Sequence, residues 1–173
     1  HLDDALRALP VGRGEVLREG SDVVLVGLGT MASVCEQAAQ ILAGKSISAM
    51  VINPRFVKPL DAELLLAAAR QVGAVVTVEE ACLAGGFGSA VLELYADHGV
   101  DAHVARMGIP DEFVDHGKPA RYLERYGLTP EGVAQRAEEL LFHLRAELAA
   151  QPVRPRRTVR RLGGAKAAGN GES

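Results

Sequence analysis

The sequence predicts an α/β protein, a three-layer α/β/α Rossmann-like sandwich around a mostly parallel sheet of about five strands. Short runs rich in Val alternate along the chain with segments whose apolar residues recur at helical spacing. Runs that are apolar throughout are typical of strands buried on both faces, as in parallel sheets. Hydrophobic residues make up 48% of the chain and aromatic residues only 4%, so the core must be aliphatic.

The first half of this pattern contains three strands and two helices. Residues 15–17 form a short edge strand whose direction the sequence leaves open. The elements that follow are a strand at 22–27, a helix that begins after the N-cap Thr30 and ends near Gly44, a strand at 47–52, and a helix at 62–71 between its N-cap Asp61 and Gly73.

The second half repeats the alternation. Its predicted elements are a strand at 74–79, a helix at 89–98, a strand at 101–107, a helix at 119–126 and a long last helix. Thr129 is a good N-cap for that last helix, and Pro130 suits its first position. An apolar stripe runs along it: Val133, Ala137, Leu140, Leu141, Leu144 and Leu148.

Composition divides the chain into three parts. Residues 1–14 are predicted to be a linker from an upstream domain, and 15–150 a single domain. Residues 151–173 contain Gly, Pro and five more basic than acidic residues, and are expected to be a disordered tail. We interpret that tail as a solvated extension, with non-specific binding to nucleic acid or another acidic surface as the alternative.

Several classes of protein are disfavoured by the sequence. No segment is long and apolar enough to cross a membrane, and no signal peptide is recognisable, so a cytoplasmic location is predicted. Cys35 and Cys82 form no CxxC pair and are predicted to be buried, reduced thiols. The net charge of −3 indicates no specific nucleic-acid partner. Because the chain begins at His1 without an initiator Met, it is expected to be a piece of a longer protein.

No self-sufficient active site is predicted, and no catalytic, cofactor-binding or metal-binding residue is assigned. The Gly27 to Thr30 turn has the position of an anion site but lacks a third glycine, so a tight structural turn is favoured. Glu79 and Glu80 are adjacent on a strand and must point to opposite faces. An Asp–His pair after the last strand has no nucleophile at a fixed spacing.

Loops that follow the strands are the candidates for a domain or dimer interface instead. Exposed apolar side chains are typical of such surfaces, and the candidates for exposure are Phe56, Phe87 or Phe113. The candidate interface residues are Arg55, Phe56, Lys58, Gly85, Gly86, Phe87, Gly88, Asp111, Phe113 and His116.

Four segments together resemble one enzyme family, the 1-deoxy-D-xylulose-5-phosphate synthases. They are residues 53–61 (NPRFVKPLD), 76–80 (VTVEE), 85–93 (GGFGSAVLE) and 108–116 (GIPDEFVDH), the last with Asp115 where Glu is usual. Residues 9–14 (LPVGRG) resemble the linker before this domain. Transketolases and the β subunits of 2-oxo-acid dehydrogenases have similar C-terminal domains, but the RFVKPLD and GIPDEF strings favour the synthase.

The resemblance implies a domain like the C-terminal domain of transketolase in a homodimeric transferase. That enzyme condenses pyruvate with glyceraldehyde 3-phosphate, releases carbon dioxide, and uses thiamine diphosphate with Mg²⁺. Its product feeds isoprenoid and thiamine biosynthesis, and its catalytic residues lie in the two preceding domains. This chain alone is therefore expected to be inactive and to bind no cofactor, and its upstream domains are its expected partners. A free-standing anion-binding or regulatory module is the alternative of another class.

Overall fold

The computed structural model describes residues 8–150. The predicted basic tail at 151–173 and the first half of the predicted linker lie outside the described residues. The elements are β1 (Glu15–Arg18), β2 (Val23–Gly27), α1 (Met31–Ala43), β3 (Ala49–Asn53), α2 (Ala62–Val72), β4 (Ala74–Cys82), α3 (Phe87–Asp97), β5 (His103–Ile109), α4 (Pro119–Arg125) and α5 (Pro130–Ala150).

The predicted α/β/α sandwich is confirmed. One sheet carries the five strands in the order β1-β3-β2-β4-β5, and all neighbouring pairs are parallel except β1 with β3. Helices α1, α4 and α5 pack on one face of the sheet, while α2 and α3 pack on the other. The strand whose direction the sequence left open is therefore an antiparallel edge strand.

The core is aliphatic, as the composition predicts, and is centred on β2. Every residue of β2 is buried, because the strand lies between β3 and β4 and is covered by helices on both faces. Alternate side chains enter the two apolar clusters: Leu25 faces the α1 and α5 side, and Val24 and Val26 face the α2 and α3 side.

The two predicted caps in the first half of the chain differ in the structure. Asp61 caps α2 as predicted, since its carboxylate accepts the Leu64 amide at 3.1 Å and also the Gly14 amide at 3.0 Å. Thr30 precedes α1 but makes no side-chain capping bond, so that prediction was wrong. Its hydroxyl donates to the carboxylate of Glu80, on a different strand.

Replacing Asp61 by alanine is expected to destabilise the fold by about 1–2 kcal/mol. The carboxylate is buried and its loss leaves two backbone amides without their acceptor. Urea unfolding of the whole chain measures the effect. Thr30→Ala is the matched control and should change stability by less than about 0.5 kcal/mol, because Thr30 caps nothing. Equal effects of the two substitutions would contradict this assignment.

Four boundaries in the second half differ from the prediction by two or more residues. β4 continues to Cys82 instead of ending at Glu79, and α3 begins at Phe87 instead of Ser89. The buried Glu79 carboxylate binds the first amides of α3 and so determines where that helix starts. β5 spans 103–109 instead of 101–107, and its last residue, Ile109, pairs with Cys82 at the end of β4.

The last helix is capped as predicted, with the Thr129 hydroxyl accepting the Gly132 amide at 3.2 Å. Its apolar stripe is shorter than predicted, since Leu148 is 61% exposed. The last buried residue of α5 is Leu141, so the final turns of the helix extend beyond the core.

The two cysteines differ in their surroundings. Both are free thiols in the structure. Cys35 is buried as predicted, and burial raises the pKa of its thiol to about 12 because the interior disfavours the thiolate. Cys82 is only half-buried, because it lies at the end of β4 where the strand leaves the core, so its predicted burial was wrong.

Candidate interface at the carboxyl edge of the sheet

The predicted interface residues lie in loops that leave one edge of the sheet. β2, β3, β4 and β5 are parallel, so their carboxyl ends meet at that edge. The loop after β3 carries Arg55, Phe56 and Lys58, the loop after β4 carries Gly85 and Gly86, and the loop after β5 carries Asp111, Phe113 and His116. The β4 and β5 loops are joined by a bond from the Leu83 amide to the Ile109 carbonyl at 2.8 Å.

The glycine-rich loop is held by contacts within the domain. Ser89 donates to the Leu83 carbonyl at 3.0 Å and accepts the Gly85 amide at 3.2 Å. Arg106 donates to the same carbonyl and to the Ser89 hydroxyl, both at 2.8 Å. A side chain at Gly86 would overlap the carboxylate of Glu79. Gly86 therefore allows close packing, whereas Gly85 has open space around it and a positive φ of 72°.

Glu79 and Glu80 point to opposite faces and have different partners. Glu79 is 1% exposed, and its carboxylate accepts the amides of Phe87 at 2.7 Å and Gly88 at 2.8 Å. Glu80 is exposed and accepts the Thr30 hydroxyl next to the start of α1. The protein's own carboxylate therefore lies beside the turn that resembles an anion site.

The three phenylalanines named as candidates for exposure have three different environments. Phe87 is 1% exposed and packs with α2 and α3 residues, so it is not one of the exposed apolar residues. As the first residue of α3, its side chain is directed onto the sheet. Phe56 is partly buried. Phe113 is 106% exposed and is the residue for which the prediction is confirmed.

The basic residues after β3 are also divided. Arg55 has a positive φ of 57° and pairs with the carboxylate of Glu15 on β1, which also accepts the Asn53 side-chain amide at 3.0 Å. Its acidic partner in the described residues is thus inside the domain. Lys58 is exposed and makes no ion pair with any of residues 8–150.

The loop after β5 borders a cavity of about 260 Å³. His116 lines it together with Asp115, its neighbour in the Asp–His pair. Three further lining residues on α4 were missed by the sequence analysis: Arg121, Tyr122 and Arg125. The sequence contains a pattern that could have identified this group. Arg121 and Arg125 are four residues apart, and residues at that spacing share one face of a helix.

Neither a metal centre nor a membrane span is found in the described part of the chain. Among residues 8–150, no three or more His, Cys, Asp or Glu side chains are grouped so that they could hold a metal ion. None of the helices within those residues combines the length and the apolar character that crossing a bilayer requires.

Comparison with known proteins identifies the domain. The family model for the transketolase C-terminal domain matches residues 12–133. Curated 1-deoxy-D-xylulose-5-phosphate synthases are similar: that of Symbiobacterium thermophilum is 79% identical over 172 residues, and that of Heliobacterium modesticaldum 54% identical over 139 residues. The chain spans 26% and 22% of these two relatives, about a quarter of their length.

Solved structures agree on the fold. One, described as "Split gene transketolase, inactive beta4 tetramer", is 40% identical with a TM-score of 0.72, over 78% of this chain and 44% of that one. A Pichia stipitis transketolase, 22% identical with a TM-score of 0.56 over 77% of this chain and 18% of that one, shares the fold. The chain therefore belongs to the transketolase C-terminal domain family.

Proposed function

We propose that this chain is the C-terminal domain of a 1-deoxy-D-xylulose-5-phosphate synthase, in which it supports the catalytic domains without touching substrate. The identity of 79% over 172 residues with such a synthase carries the proposal. The domain would comprise residues 15–150, with 1–14 as the linker that precedes it. The transketolases at 22% identity share only the fold, so the synthase is favoured over them.

The whole enzyme would be a transferase that joins pyruvate to glyceraldehyde 3-phosphate with loss of carbon dioxide, for isoprenoid and thiamine biosynthesis. It would use thiamine diphosphate and Mg²⁺. The described residues do not fit that cofactor, because no carboxylate cluster for a metal is found among them and Glu79 is already bound by amides. We place the cofactor in the part of the enzyme outside this chain.

We propose that this chain alone has no synthase activity. Several polar side chains at the carboxyl edge are engaged within the domain: Glu79 binds the first amides of α3, Glu80 binds Thr30, and Arg55 pairs with Glu15. One related chain is described as an inactive tetramer of a split transketolase, and this domain covers 44% of it. That description is consistent with the proposal that activity requires further domains.

The partners that follow from this proposal are the upstream domains of the same enzyme and a second subunit, in a cytoplasmic homodimer. The carboxyl edge is the proposed contact surface, with Phe56, Lys58, Asp111, Phe113 and His116 as its members. The alternative of an anion-binding module has less support, since Glu80 already lies beside the Gly27 to Thr30 turn.

A chimera tests the proposed function. In the Symbiobacterium thermophilum synthase, the segment that matches this chain is replaced by this chain. Carbon dioxide release from pyruvate and glyceraldehyde 3-phosphate is measured with thiamine diphosphate and Mg²⁺, for the chimera and for this chain alone. We expect turnover similar to that of the unmodified synthase from the chimera, and none from the chain alone. A folded chimera without turnover would refute the proposal, as would turnover by the chain alone.

A further inference from the structure

Two neighbouring depressions at the carboxyl edge share one wall, the side chain of Tyr122. The first is the polar cavity that contains His116, Arg121 and Arg125. The second, of about 230 Å³, is mainly apolar and is lined by Ile109, Val114, Gly117, Pro119 and Leu123, with Glu80 at one side.

The Tyr122 side chain, which separates the two depressions, contacts the loop after β5. The Tyr122 hydroxyl donates to the Asp115 carbonyl. Gly117 makes room for the ring, because a side chain there would lie 2.5 Å from the hydroxyl and 3.1 Å from ring carbons. The surface formed by Phe113, Val114, Tyr122 and Arg121 is called the arm surface below.

The arm surface exposes large apolar side chains next to each other. Phe113 is 106% exposed, and the adjacent Val114 is 38% exposed while lining the apolar depression. Aromatic residues beside an apolar pocket are typical of the centre of a protein interface. This part of the domain is therefore built to be covered by another protein segment.

The charges at the arm surface favour a carboxylate in the covering segment. Arg125 is paired with Glu112 at 3.2 Å, and the Tyr126 hydroxyl donates to the same carboxylate at 2.6 Å. Arg121, on the other side of Tyr122, makes no ion pair with any acidic side chain among residues 8–150. Asp115 lines the same cavity but forms no ion pair with Arg121, so Arg121 is a cation available to a partner. A guanidinium binds a carboxylate through two parallel hydrogen bonds.

We propose that the arm surface binds a segment of the same enzyme outside this chain, one that carries an apolar side chain close to a carboxylate. The apolar side chain fills the depression beside Phe113 and Val114, and the carboxylate pairs with Arg121. The inference rests on the proposed function, because the curated synthases contain about three-quarters of their length outside the matched region.

Hydroxyl-radical footprinting of the chimera tests this contact without using activity. Oxidation of Phe113 is measured by mass spectrometry in the chimera and in this chain alone. Phe142, which is 71% exposed on α5, is the internal control. We expect Phe113 to be strongly protected only in the chimera and Phe142 to be oxidised equally in both. Equal oxidation of Phe113 in both proteins would overturn the inference.

A second copy of the chain is the competing occupant. If Phe113 is already protected in the isolated chain, and the protection is lost on dilution together with a dimer in sedimentation, the inference is overturned in favour of self-association. A chain that ends at residue 150 is footprinted in parallel, and protection that depends on residues 151–173 would also overturn it.

Substitutions provide a second readout. Phe113→Asp and Arg121→Glu are each expected to lower the thermal midpoint of the chimera while leaving urea unfolding of the isolated chain unchanged. Phe142→Asp is the matched control and should alter neither. Variants at Phe113 and Arg121 that behave like the control would refute the inference.

The outcomes distinguish the two proposals. An inactive chimera with a protected Phe113 contradicts the proposed function alone, and an active chimera with an exposed Phe113 contradicts the arm surface alone.

Discussion

Replacing Phe87 by alanine is expected to lower the free energy of unfolding by about 4 kcal/mol. The side chain is 1% exposed and packs in the cluster between the sheet and helices α2 and α3. Removing the ring loses its transfer free energy and leaves a cavity that the surrounding aliphatic side chains fill only in part. Urea unfolding of this chain, followed by circular dichroism, measures the loss.

Phe113→Ala is the matched control, because it removes the same ring from a fully exposed position. Its effect on the isolated chain should be less than about 0.5 kcal/mol. Similar losses for the two substitutions would show that Phe87 is not a core residue or that Phe113 is covered within this chain.

Replacing Glu79 by alanine is expected to cost about 3 kcal/mol. Its buried carboxylate is the acceptor for the first two amides of α3, and a helix N-terminus favours a negative charge. Without it, two buried donors lose their partner and the glycine-rich loop loses the group against which Gly86 packs. The same unfolding experiment measures the change.

Two further variants separate the contributions at this site. Glu79→Gln keeps the shape and one acceptor oxygen, so a smaller loss than for alanine is expected. Glu80→Ala removes the neighbouring carboxylate from an exposed position and should cost less than about 0.5 kcal/mol. A loss for Glu80→Ala as large as that for Glu79→Ala would contradict the capping role.

These results bear on how the proposed interface is supported. Glu79 binds the first amides of α3 and so holds the end of the loop after β4. In the same loop, the Leu83 amide donates to the Ile109 carbonyl, where the loop that carries Phe113 begins. Phe87 and Glu79 therefore act below the surface as positioning residues. The surface proposed to meet a partner lies one strand further along, at the arm surface.

The secondary structure could be predicted well from the sequence because its signals are local. Fully apolar runs such as 22–27 identify buried parallel strands, and Asp61, Gly73 and Thr129 mark helix ends through bonds or backbone angles within a few residues. Segments that follow parallel strands must meet at one edge, so the location of the candidate surface was also predictable.

Contacts between residues far apart in the sequence were decided by the tertiary structure alone. Thr30 binds Glu80 and Arg55 binds Glu15, each across a separation of at least 40 residues, which no local pattern encodes. The burial of Phe87 follows from where Glu79 starts α3, whereas Phe113, which also follows a strand, stays exposed. Whether such a side chain is covered depends on the packing of distant elements, and for Phe113 the covering element is proposed to lie outside this chain.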